Sequence, residues 1–137
     1  MNKEAEKIME ERFGGDTVVA LSTADNNVPY VRLVNAHYEC GAFYVITYAL
    51  SEKMKQLEHN PVAAIAAEWF TAHGNAVNLG WFGKKENHAI AEKLKAAFSE
   101  WINNGHNDFD DPNTIILCIK LTDGTLLSHG KRYDLHL

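Results

Sequence analysis

The sequence predicts a mainly β fold with flanking helices (α+β), a small barrel of six to seven antiparallel strands. Three observations predict it. First, β-rich apolar runs recur along the chain, among them TVVALST, AFYVITY and TIILCIKL. Second, most are separated by only two or three turn-forming residues, and tight turns join antiparallel neighbours. Third, 137 residues suit one domain, 1–137, around one core. A small antiparallel sheet must deal with its free edges, and closing into a barrel removes them.

The elements follow in order. Residues 3–13 read as a helix, because Ala5, Ile8, Met9 and Phe13 recur at helical spacing between charges. Gly14-Gly15 ends it. A strand over 16–23 and another over 28–39 flank Asp25-Asn26-Asn27, which supplies hairpin chemistry. Cys40-Gly41-Ala42 makes the next reversal before a strand at 43–48. A short helix over 51–59 starts at Ser51, a good N-cap, and stops at Asn60-Pro61. Residues 62–70 read as a short buried strand ending before His73-Gly74, with a fifth strand at 75–82. The apolar stripe Ala89, Ile90, Leu94, Ala97, Phe98, Trp101 and Ile102 predicts a helix over 86–102. A polar loop, 103–113, leads into a strand at 114–121. Thr122-Asp123-Gly124 reads as a turn, and 125–135 pairs back.

Composition excludes several classes of function. With 13 basic against 18 acidic residues the net charge is −5. Nucleic-acid binding needs a basic face, so no nucleic-acid partner is expected. No stretch approaches the roughly 20 apolar residues that cross a bilayer, so no membrane partner is expected either. The charged start MNKEAEKIMEERF holds no apolar signal segment, which points to the cytoplasm. Cys40 and Cys118 stand far apart and read as buried inert thiols. His88 and Glu92, at i and i+4, read as a surface pair rather than metal ligands. Asp108, Asp110 and Asp111 lie in a loop without the central Gly and final Glu of an EF-hand. No metal site is expected.

The residues with chemical promise lie between Thr17 and Phe70. Arg32 sits in an extended apolar segment beside Val31, Leu33 and Val34, where a charge needs a partner or a rim position. Lys53 opens the short helix behind Ser51, and Thr47 precedes that helix on a strand. A helix start, a guanidinium fork, an ammonium and hydroxyls together make an anion site. The alternative is that Arg32 pairs with a neighbouring acid and Ser51 merely caps.

The ordered set Ser22-Thr23, Pro29, Arg32-Leu33-Val34, Thr47, Ser51-Glu52-Lys53, Leu57 and Asn60-Pro61 resembles the pyridoxamine 5′-phosphate oxidase-like FMN-binding family of split β-barrels. The resemblance covers roughly residues 16–82. It implies that Arg32, Ser51 and Lys53 hold the phosphate of FMN. It implies that Leu33, Val34, Asn35, Ile46 and Thr47 line the ring and ribityl chain. It further implies a homodimer with the cofactor at the subunit interface, where Trp69 and Trp81 are candidate contacts. The implied activity is a flavin-dependent oxidoreductase acting on a small molecule. A carrier or sensor that binds flavin without turnover, or the same barrel holding haem or a deazaflavin, are the alternatives.

Two departures narrow this. The residue before Lys53 is Glu52, where the oxidases carry Arg. The chain ends GKRYDLHL, without their Arg-x-His substrate motif. Pyridoxamine phosphate oxidation itself is therefore not expected, and no side chain stands out as a catalytic acid or base.

Overall fold

The structure, a computed structural model, describes residues 1–137. Seven antiparallel strands alternate with three α-helices: α1 (Lys3–Phe13), β1 (Thr17–Asp25), β2 (Val28–Glu39), β3 (Ala42–Tyr48), α2 (Glu52–His59), β4 (Val62–Ala67), β5 (Phe70–Trp81), α3 (His88–Ala97), β6 (Thr114–Ser128) and β7 (Lys131–His136). The strand order is β3-β2-β1-β4-β5-β6-β7, and β3 also pairs with β6. That extra pairing closes six strands into a barrel and leaves β7 as an addition on β6. Mainly β with flanking helices is thus the observed class.

Local chemistry explains the hairpins. Asn26 and Asn27 both take positive φ (49° and 64°), as do Cys40 (46°) and Gly41 (84°). Such pairs make the two-residue turns whose twist matches that of the strands. Asn2 caps α1 by accepting from the amides of Glu4 and Ala5. Ala5, Met9 and Phe13 then bury one face of α1 against the barrel, where the ring of Phe13 meets those of Phe43 and Phe70.

Four expectations need correction. β5 begins at Phe70, because the reversal lies at Glu68-Trp69 and not at His73-Gly74. β6 runs unbroken through Thr122-Asp123-Gly124 and turns at His129-Gly130. The physical reason is shared. A Cβ on Gly74 would sit 2.7 Å from the Lys120 carbonyl oxygen, and one on Gly124 would sit 2.8 Å from that of Thr71. These glycines permit close strand approach at a bulge, which reads in sequence like turn chemistry. The third helix is shorter: a 3-10 turn at Lys85–Asn87 precedes α3, and irregular turns follow Ala97. Its buried stripe runs through Ala91, Leu94, Phe98 and Ile102, while Ala89 is exposed. Finally, Cys40 is exposed at its turn; only Cys118 is buried, and burial pushes its thiol up.

Two apolar clusters result. The larger fills the barrel with Val19, Leu21, Tyr38, Phe43, Val45, Ile65, Leu117, Ile119 and Leu126. The smaller lies outside it, beneath α3, around Phe82, Leu94, Phe98 and Ile116. The barrel wall is incomplete at one place. β2 pairs with β3 only through His37, Tyr38 and Glu39. Above that, Val28–Ala36 pairs with β1 alone, and Val45–Tyr48 pairs with β6 alone. The two strands share no ladder there, and this unpaired stretch forms a seam.

Candidate functional site: a cationic seam between two strands

The seam has a polar floor. Residues 32, 34, 36 and 38 of β2 point inward, since Ala36 and Tyr38 belong to the barrel core. Arg32 is therefore an inward-facing charge at the rim of the core. Across the seam, Thr47 shares the face of the core residues Phe43 and Val45. α2 leaves the end of β3 and packs on β1. Its residues Lys53 and Gln56, at i and i+3, lie on one side of the helix. Lys53 donates to Thr47 Oγ1 on β3, whereas Gln56 reaches β1 and β2.

The guanidinium of Arg32 is fixed by neutral acceptors. Nη1 donates to the carbonyl of Leu21 (3.2 Å) and to Thr23 Oγ1 (2.9 Å). Nη2 donates to Gln56 Oε1 (3.1 Å), and that same oxygen accepts from the Thr23 hydroxyl (2.6 Å). Arginine carries five N–H donors, so Nε–H and one Nη2–H are left without a protein acceptor. Together they form a side-on fork.

No carboxylate lies within 4.0 Å of Arg32 or Lys53. Burial lowers the pKa of both groups from their ordinary values. For Lys53 the charge of Arg32 lowers it further. Two partly desolvated cations thus lie close enough for the charge of one to act on the other, without a counter-ion. Glu52 does not supply one: it pairs with Lys55 at 3.4 Å on the solvent side of α2. Ser51 caps α2 by accepting from the Met54 amide, which leaves the amides of Glu52 and Lys53 at the open helix start. A guanidinium fork, an ammonium and free helix amides suit a tetrahedral dianion.

The structure gathers Arg32, Thr47, Ser51 and Lys53 at this seam and distributes the other expected residues around it. Val34 packs against the barrel core, and Ile46 lies on the opposite face under α3. Leu33 points outward and is 73% exposed. The Asn35 amide donates to Asp16 (2.9 Å), which also accepts from Trp101 Nε1. Trp69 is elsewhere in the protomer, on the β4–β5 turn with φ 60° and 63% exposed. It borders a hollow of about 670 Å³ with Arg12, Leu127 and His129. Trp81 donates from Nε1 to the carbonyl of Phe109. Sequence reasoning missed Gln56. Its helical spacing from Lys53 was the available signal.

The fold and the seam define a class: an antiparallel barrel with two uncompensated cations where the β2–β3 ladder stops. Comparison with known proteins supports the barrel. The family model for pyridoxamine 5′-phosphate oxidase matches residues 5–128, and the chain belongs to that family. General Stress Protein 26 from Bacillus anthracis str. Sterne superposes with a TM-score of 0.70 at 17% identity, over 96% of this chain and 99% of that one. A heme binding protein from Mycobacterium smegmatis gives 0.71 at 17%, over 99% of this chain and 59% of that one. A FAD-binding protein from Mesorhizobium loti gives 0.64 at 14%, over 90% and 92%. At these identities the likeness is one of fold. No curated protein sequence matches. No helix is long and apolar enough to cross a membrane.

Proposed function

We propose that this chain is an FMN-binding homodimer of the cytoplasm, acting as a flavin-dependent oxidoreductase on a small molecule. One observation carries the reading: Arg32 and Lys53 lie together, partly desolvated, with no acid beside them. A phosphate dianion supplies the missing countercharge, and Ser51 and Thr47 add hydroxyls to its shell. The ribityl chain and ring follow the seam along Leu33, Val34 and Asn35 of β2 and Ile46 of β3, whose facing edges lack a ladder there. FMN supplies the redox chemistry. The chain's own residues bind its phosphate, orient the ring and exclude water.

Dimerisation is supported by the outer face of the strands that bear the site. Val18, Val31, Leu33 and Val62 are exposed on β1, β2 and β4, with Ala20, Ala64 and Ala66 between them. An exposed apolar sheet face of this kind marks an interface. A second copy there closes the seam and brings its own Trp69 to the ring.

An absorbance spectrum and a titration with FMN test the cofactor, and light scattering tests the assembly. The reading expects flavin bands, or quenching of FMN fluorescence on titration, with twice the chain mass in solution. A colourless protein that takes up no FMN overturns it. A Soret band selects haem, the ligand class named for the Mycobacterium smegmatis neighbour. Turnover of NADH or NADPH above that of free flavin separates an oxidoreductase from a carrier.

A further inference from the structure

Acids outnumber bases in this chain, 18 to 13, so Arg32 does not lack a carboxylate for want of supply. Six exposed cations, Lys55, Lys84, Lys93, Lys95, Lys131 and Arg132, pair with Glu or Asp, while the exposed Lys3, Lys7, Lys85 and Lys120 stay in solvent without one. The more buried Arg32 is held by a carbonyl, a hydroxyl and an amide oxygen. The amide belongs to Gln56, itself only 7% exposed and without a role in the apolar core of α2.

Hydrogen bonds close a ring: Arg32 Nη1 to Thr23 Oγ1, Thr23 Oγ1 to Gln56 Oε1, and Arg32 Nη2 to the same Oε1. Thr23 is 2% exposed, so the ring is shielded on its inner side. The ring fixes the plane of the guanidinium and satisfies its inner donors. It adds no negative charge. A glutamate at 56 would make the same bonds but neutralise the fork before a ligand arrived.

We infer that Gln56 is a positioning residue that aims Arg32 while leaving its charge intact, and so sets the selectivity of the seam for dianionic phosphate esters. This rests on the phosphate-site reading above and extends it to a residue that touches no ligand. The helix carries the arrangement: Lys53 and Gln56, one turn apart on α2, address the two sides of the seam together.

The test compares Gln56→Glu and Gln56→Met with the wild-type chain, using FMN, riboflavin and inorganic phosphate as probes. For Gln56→Glu, FMN affinity falls about tenfold or more while riboflavin affinity holds, on the scale of one charged hydrogen bond. Its ligand-free melting temperature rises, because the unpaired cation gains a partner. For Gln56→Met, FMN affinity also falls and the ligand-free melting temperature drops, because Thr23 and Arg32 lose an acceptor. A merely structural role moves FMN and riboflavin together, and moves affinity and stability in the same direction in both variants. Equal FMN and riboflavin affinities in Gln56→Glu relative to wild type overturn the assignment while the flavin reading stands. If phosphate raises the wild-type melting temperature, fails to do so in Gln56→Glu, and FMN does not bind, the assignment stands and the flavin reading falls. If neither phosphate nor FMN affects the wild-type protein, both fall.

Discussion

The two sides of β3 show how one barrel provides both a rigid wall and a candidate site. Toward β6 the ladder is continuous from Ala42–Lys120 to Tyr48–Thr114. Toward β2 it stops at His37–Tyr44. On the closed side the inward residues are apolar and fully buried, with Phe43 wedged among Phe13, Tyr38 and Phe70. On the open side the inward residues become Arg32 and Thr47, and the backbone edges lack partners. The difference teaches that the site is where pairing ends. The closed side holds the frame still, while the open side leaves charge unspent.

The largest expected effect breaks the closed side. Phe43→Ala should cost about 3–5 kcal/mol of stability, the usual range for deleting a buried aromatic ring. Chemical denaturation measures it, and a loss below about 1 kcal/mol would mean that this wall is not the frame. Arg32→Ala strikes the open side. FMN affinity should fall by about 1.5–3 kcal/mol with riboflavin little changed, as read by fluorescence titration. Equal losses for the two ligands would assign Arg32 to folding instead.

A third variant sharpens the comparison from outside the barrel. Leu33→Asp places a charge on the exposed apolar face of β2, so the proposed dimer should weaken roughly tenfold or more. Analytical ultracentrifugation at several concentrations reads this. An unchanged dimer would locate the interface elsewhere.

The smallest effect is on pH dependence. Burial, then the charge of Arg32, lowers the pKa of Lys53 below its ordinary 10.5. A base with a lowered folded pKa is disfavoured while charged. Its penalty on stability is therefore present at neutral pH and fades as pH rises through the folded pKa toward 10.5. A bound dianion prefers the charged form. FMN affinity should decline across that same alkaline window while riboflavin affinity stays flat. A second decline is expected below about pH 6, where a phosphate monoester gains its proton. Isothermal titration in buffers of different ionisation enthalpy would also show proton uptake on binding at alkaline pH.

Much of this was legible in the sequence, for reasons tied to particular residues. The asparagine pair at 26–27, the Ser51 cap and the Asn60-Pro61 stop act over a few residues, so their meaning survives without the fold. The order of Arg32, Thr47, Ser51 and Lys53 was readable because it follows a family pattern. Gly74 and Gly124 misled because a glycine required for strand approach has the same local signature as one required for a turn. For Gln56 the sequence offered only its helical spacing from Lys53, which does not give its role. Its importance depends on Thr23 and Arg32, which lie 33 and 24 residues away and meet it only when α2 folds back on β1.

Side-by-side titration of the wild-type chain with FMN and riboflavin tests the central claim most directly. Two uncompensated cations should make FMN bind tighter by about thirtyfold or more, the worth of a charged contact of roughly 2 kcal/mol. The gap should shrink as added inorganic phosphate competes. Indistinguishable affinities for the two flavins, insensitive to phosphate, would contradict the account.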